Sequence, residues 1–131
     1  STDELAFVMG HEIAHVECRH IAQQLEREAL AVAAVDSVFG GALDAEALYE
    51  SELGQGVAVL ASLSFSRDEE SEADLRALDL LDRSGRPTSS AADALRVLRD
   101  HTGDVPDDGV STYFSTHPPT RDRIAAVEAA E

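Results

Sequence analysis

Two histidines and a glutamate near the start of the chain carry the clearest chemical signal in the sequence. They lie in the stretch His11-Glu12-Ile13-Ala14-His15. Residues four positions apart project from one face of an α-helix, about 6 Å from each other, so the two imidazoles can converge on one ion. This spacing is typical of zinc, and a carboxylate between the histidines can hold a zinc-bound water as general base. The stretch therefore predicts two zinc ligands, His11 and His15, and a base, Glu12.

A third protein ligand has to come from elsewhere in the chain, because catalytic zinc takes three protein ligands and keeps a fourth position for water. The acidic run over 66–74 contains Glu70 and Asp74, one helical turn apart. A glutamate ligand and an aspartate that accepts the free N–H of a ligand imidazole would fit that spacing. Spacing alone does not distinguish Glu69, Glu70 and Glu72, and the run also fits a solvated acidic face.

Four motifs, in order along the chain, resemble the HtpX and CAAX-prenyl-protease family of zinc metallopeptidases, in particular its soluble BepA-like and minigluzincin-like branch. The motifs are Met9-Gly10-His11-Glu12-Ile13-Ala14-His15, Arg19-His20, Ser66-Arg67 with Glu70-x-x-Ala73-Asp74, and Thr116-His117-Pro118 with Arg123-Ile124. They span nearly the whole chain. The resemblance implies a zinc metalloendopeptidase, a hydrolase that cleaves peptide bonds in peptide or protein substrates.

The resemblance also assigns roles to individual residues. It implies that His11, His15 and Glu70 bind one Zn²⁺ per chain. Glu12 would act as the general base that activates the zinc-bound water, and Asp74 would support a ligand histidine from behind.

Two further residues receive roles through the resemblance. His117 either approaches the zinc as a fourth ligand that blocks the water, or serves as a helix-start or supporting residue. Arg123 lies near the site in the family and could stabilise an oxyanion. Tyr113, a few residues before His117, could offer a phenol to an oxyanion, but we favour a packing role for it. Among these, we predict His117 and Arg123, together with Glu12, as catalytic residues.

Helices have to position these side chains, and the sequence predicts a mainly α, compact zincin-type core with an active-site helix and a glutamate-ligand helix. The pattern favours one helix from Leu5 to Leu25, capped by Ser1 or Thr2. Leu5, Val8, Met9, Val16 and Leu25 form an apolar stripe along it that we expect to pack inward.

The rest of the chain predicts further helices separated by turn residues. We expect antiparallel apolar helices over 29–43 and 57–65, the glutamate-ligand helix over 66–83 with a Gly85 cap, and helices over 90–101 and 119–130, with a loop over 102–111. The apolar segments before Glu70 are too short for the membrane hairpin of the integral-membrane branch.

The composition excludes some function classes. The 131 residues carry a net charge of −16, from 26 acidic and 10 basic side chains. Such a field repels nucleic acid, so we expect no nucleic-acid partner. The length favours a single metallopeptidase catalytic domain over 1–131. We expect it to be truncated at its N-terminus, with the family's upstream β-strand region largely missing.

Partners and alternatives complete the sequence-based expectations. The sequence leaves the location of the parent protein open, and the options are the periplasm, another compartment outside the cytoplasm, and peripheral association with a membrane. It also leaves the oligomeric state open. A different class of function is a zinc-stabilised, proteolytically silent binding or chaperone-like module. An acidic helical domain with an accidental motif is a third.

Overall fold

The computed structural model describes residues 1–38, 65–101 and 116–131, and within these ranges the chain is helical, without a β-strand. Five helices are described: α1 (Thr2–Glu17), α2 (His20–Val38), α3 (Arg67–Arg83), α4 (Ser90–His101) and α5 (Arg121–Ala130). The prediction of a mainly α fold is confirmed. The predicted elements between Val38 and Phe65, the loop over 102–111 and Tyr113 lie outside the described residues.

The chain divides into two compact units. One consists of Ser1–Arg19 with Ser64–Glu131 and contains α1, α3, α4 and α5, whereas the other, His20–Leu63, contains α2. In the first unit α1 packs on α3 and α4, and α5 packs on the same two helices. No described helix is both long and apolar enough to cross a bilayer.

Local sequence signals set the ends of the helices in the first unit. Ser1 caps α1 and Ser66 caps α3, each in a reciprocal capping box with the glutamate three residues later. Gly85 adopts φ 70°, and the N–H of Arg86 donates to the carbonyl of Leu81 at 3.0 Å. This left-handed turn satisfies the last carbonyls of α3 and favours glycine, as the sequence predicted. The helices predicted over 66–83, 90–101 and 119–130 are therefore confirmed to within a residue or two.

The prediction of one helix from Leu5 to Leu25 is wrong. Helix α1 ends at Glu17, Cys18 forms its cap, and Arg19 takes the left-handed conformation with φ 59° before α2 begins. A left-handed residue cannot continue a right-handed helix. Arginine seldom adopts this conformation, and neither glycine nor proline marks the break in the sequence.

The predicted inward stripe of α1 is also wrong for most of its members. The side chains of Leu5, Met9 and Val16 are exposed by 58, 58 and 70%. The buried face of α1 is instead made of Phe7, small residues and the two histidines of the motif. Because the histidines, Phe7 and small residues take the core-facing side of this helix, Leu5, Met9 and Val16 lie on its exposed side.

The core of the first unit lies where α1, α3, α4 and α5 meet. Its larger members are Phe7, Leu78, Leu81, Leu95, Ile124 and Val127, and alanines fill the remaining positions. Gly10 of α1 lies against Ala77 of α3, so close that a Cβ at Gly10 would be 3.5 Å from the Cβ of Ala77. These small residues bring α1 close to α3, and the buried histidines of α1 therefore come within 3.5 Å of Glu70 of α3.

Candidate metal centre and active site

The two histidines of α1 face each other from successive turns on the buried side of the helix. His11 and His15 are exposed by only 1 and 2%. Their Nε2 atoms lie 3.0 Å apart, and the rings meet edge to face. The helical period that was read from the sequence therefore places both imidazole nitrogens at one point.

Helix α3 brings one carboxylate to the same point. Glu70 is 2% exposed, with Oε1 3.3 Å from His15 Nε2 and Oε2 3.5 Å from His11 Nε2. Glu69 instead accepts a hydrogen bond from the backbone N–H of Ser66 as part of the helix cap. Of the three glutamates that spacing left open, Glu70 is thus the one that meets the histidines of the motif, whereas Glu72 is exposed.

His117, just before α5, completes a ring of four donors. Its Nδ1 lies 2.8 Å from Glu70 Oε1 and 3.3 Å from His11 Nε2. Its ring stacks on Phe65, with centroids 5.0 Å apart, and Phe65 also packs against His15 at 4.0 Å. Sequence reasoning missed this contact of Phe65. In the sequence Phe65 is marked only as the last apolar residue before Ser66, the cap of α3, and this position does not indicate a contact with the histidines.

The four donors have the spacing that a tetrahedral metal requires. One ligand atom from each of His11, His15, Glu70 and His117 falls in a group whose members all lie within 4.8 Å of one another, and all four residues are buried. At a zinc–ligand distance of about 2.0–2.1 Å, tetrahedral ligand atoms are about 3.3–3.4 Å apart. The separations between donors on different residues run from 2.8 Å, between His117 and Glu70, to 3.5 Å, between His11 and Glu70, and so lie around this value. The residues present therefore fit a zinc ion.

A buried network of charged side chains lies behind the four donors. Asp74, one turn after Glu70, places Oδ1 2.9 Å from His11 Nδ1. Arg123 of α5 donates to both oxygens of Asp74, through Nε and Nη2 at 2.7 Å each. Its Nη1 lies 2.5 Å from Glu70 Oε2 and also donates to the Pro118 carbonyl at 3.1 Å. Arg123 thus bridges two carboxylates of α3, those of Asp74 and Glu70.

The electrostatics of the centre follow from this network. Burial alone would raise the pKa of Glu70, but hydrogen bonds with the surrounding histidines hold its pKa far below its usual range. Burial would lower the pKa of His11, but hydrogen bonds with Asp74 and Glu70 raise it overall. Burial lowers the pKa of His15. A lowered pKa favours the neutral imidazole, which is the form that binds a metal.

Glu12 lies at the open edge of the centre. Its side chain is 47% exposed, and Oε1 is 3.9 Å from His117 Nε2. Consecutive helical residues are about 100° apart, so Glu12 lies on the face of α1 next to the buried face that carries His11. A carboxylate here can exchange protons with solvent while it remains beside the four donors. Tyr113, the other predicted donor, lies outside the described residues.

Comparison with known proteins identifies the family. A model of peptidase family M48 matches residues 1–131. The chain belongs to peptidase family M48. The predicted resemblance is therefore confirmed, and M48 peptidases are zinc-dependent metallopeptidases.

Two M48 relatives illustrate the match. Metalloprotease YcaL of Escherichia coli is 31% identical, over 95% of this chain and 50% of the relative. A protease HtpX homolog of Gemmatimonas aurantiaca is 29% identical, over 98% of this chain and 56% of the relative. The chain thus spans about half the length of these relatives. No solved structure matches it significantly.

Proposed function

We propose that this chain forms the catalytic core of a zinc metalloendopeptidase that hydrolyses internal peptide bonds of peptide or protein substrates. The observation that carries the proposal is the meeting of three imidazoles and one carboxylate, all buried, at a single point. Membership of peptidase family M48 supports the same conclusion from sequence.

In this proposal His11, His15 and Glu70 hold the zinc. When bound, zinc lowers the pKa of a water molecule towards neutrality and polarises the carbonyl of the scissile bond. Asp74 keeps the Nδ1 proton of His11 on the side away from the metal, so that Nε2 presents its lone pair to the shared point. Arg123 fixes Asp74 and Glu70 and is thus a positioning residue in this scheme.

Glu12 performs the proton transfers. Its exposed carboxylate accepts a proton from the attacking water and then returns that proton to the leaving amine as the C–N bond breaks. This requires a carboxylate that both water and substrate can reach. Glu12 meets this condition, since it is half-exposed and its Oε1 lies 3.9 Å from His117 Nε2.

The position of the His117 side chain distinguishes two states of the site. With Nδ1 beside Glu70 and His11, it would be a fourth protein ligand of a bound zinc, and four protein ligands would leave no position for substrate. For turnover His117 has to leave the shared point, and its Nε2 side already faces Glu12. In a chain in which His117 stayed in place, the site would serve a second function, a zinc-stabilised and proteolytically silent binding module.

The test compares Glu12→Gln with Glu17→Gln. Both glutamates are on α1 and have similar exposure, 47 and 43%, but Glu17 pairs with Arg76 away from the centre. We expect the Glu12 variant to bind zinc as the wild type does and to cleave casein at least about a hundred times more slowly. The Glu17 variant should keep its activity, and chelation should abolish wild-type cleavage.

Each alternative has its own signature in the same assay. Full turnover by the Glu12 variant would reject Glu12 as the base. Zinc binding without cleavage in the wild type would favour the silent module, and a protein without zinc affinity would reject both functions.

A further inference from the structure

A cavity of about 260 Å³ opens beside the candidate metal centre, between the N-terminal ends of α3 and α5. Glu70, one of the four donors, lines it together with Arg123, so the cavity adjoins the centre at Glu70. An apolar cavity of about 150 Å³ accommodates a benzene ring. The space is therefore large enough for any single amino-acid side chain.

The walls of the cavity are mainly apolar. Phe65 forms one side, and Pro118 and Ala126 form others. Two hydroxyl side chains also line it, but each is engaged with its own backbone. The Ser71 hydroxyl donates to the carbonyl of Arg67 at 2.8 Å, and the Thr120 hydroxyl accepts from the N–H of Arg123 at 3.3 Å. Neither is directed at a guest.

The charges at the cavity are balanced. At the inner end the two lining residues with charged side chains, buried Glu70 and Arg123, have opposite signs and pair with each other through Oε2 and Nη1. At the outer end the exposed residues Arg67 and Asp122 have opposite signs. A charged guest would lose its hydration without gaining an uncompensated partner, whereas an apolar guest loses only its contact with water.

We propose that this cavity selects the substrate by receiving an uncharged, apolar side chain, such as Leu, Met or Phe, from the residue next to the scissile bond. This inference rests on the proposed peptidase function, because the cavity acquires its role from the adjoining centre. Ala126, at the exposed end of the wall, is the residue that sets the size limit. A larger side chain there closes the cavity without disturbing the core.

The first experiment measures cleavage preference in a peptide library with the zinc-loaded protein and mass spectrometry of the products. The wild type should favour Leu, Met and Phe over Ala, and over charged residues, at one position beside the cleaved bond by about tenfold or more. Ala126→Phe should shift this preference to Ala, Gly and Ser. Ala125→Phe is the matched control, since Ala125 is the exposed neighbour on α5 and does not line the cavity.

A second readout does not depend on turnover. Labelled peptides that differ only at the selected position are titrated, by fluorescence anisotropy, against zinc-loaded Glu12→Gln protein with and without Ala126→Phe. The leucine peptide should bind about tenfold more tightly than the alanine peptide, and this difference should vanish in the double variant.

The outcomes separate the two proposals. Cleavage without positional preference, a preference for charged residues, or an equal shift in the Ala125 variant overturns the role of the cavity and leaves the peptidase function intact. Selective binding without cleavage overturns the peptidase function and supports the cavity. If the protein shows neither cleavage nor selective binding, both proposals are overturned.

Discussion

Replacing Asp74 by asparagine tests whether the buried network behind the metal centre is what organises it. The carboxylate is 2% exposed, accepts two hydrogen bonds of 2.7 Å from Arg123, and lies 2.9 Å from His11 Nδ1. Asparagine keeps the shape of the side chain but has no negative charge and only one acceptor atom. The variant therefore removes one charge-assisted bond and leaves a buried guanidinium partly uncompensated.

The magnitudes follow from these contacts. Breaking a buried ion pair costs about 3–5 kcal/mol, and we expect the lower end, because Glu70 still neutralises part of the Arg123 charge. Loss of the group that orients a metal-ligating histidine lowers metal affinity by about 10–100-fold. Both effects are expected together in this variant.

Two measurements separate the effects. Urea unfolding with excess chelator gives the free energy of unfolding of the metal-free protein, and competition with a chromophoric chelator gives the zinc affinity of the folded protein. Asp79→Asn is the control, because Asp79 is on the same helix but forms an exposed pair with Arg76. It should leave both quantities nearly unchanged. A folded Asp74→Asn protein with wild-type zinc affinity would refute the supporting role of Asp74.

The remaining predictions concern the ligands and the core. His117→Ala should retain zinc on the other three ligands and cleave peptide faster than the wild type, as measured by metal analysis and initial rates; slower cleavage with zinc retained would instead place His117 in the chemistry. Glu70→Gln should lower the zinc content sharply, and unchanged stoichiometry would point to another ligand. In the metal-free protein the lowered pKa of Glu70 means that the folded state binds fewer protons than the unfolded state. That contribution to stability is complete above the ordinary pKa of 4.5 and is lost as the pH falls further. In urea unfolding, the free energy of unfolding should therefore fall less between pH 7 and pH 3 in Glu70→Gln than in the wild type. Phe7→Ala should lower the free energy of unfolding by about 3–5 kcal/mol, because Phe7 is 1% exposed in the core, whereas Val16→Ala on the exposed face should hardly change it; similar losses in both variants would contradict the described orientation of α1.

Short-range patterns in the sequence determined the local structure around the site. The four-residue spacing of His11 and His15 places them on one helical face whatever else the chain does, because the helical period is fixed. The cap signals at Ser66 and Gly85 act within a few residues, so the bounds of the glutamate-ligand helix were also readable.

Only the tertiary structure decided which face of α1 is buried and which carboxylate meets the histidines. Three glutamates of one acidic run are equivalent in spacing, and Glu70 faces His11 and His15 because α3 packs on α1 through Ala77 and Gly10. Contacts between residues far apart in the chain, such as Arg123 with Asp74, depend on how helices pack and leave no periodic trace. The break at Arg19 escaped detection because arginine seldom takes the left-handed conformation, so the residue type carries no signal for it.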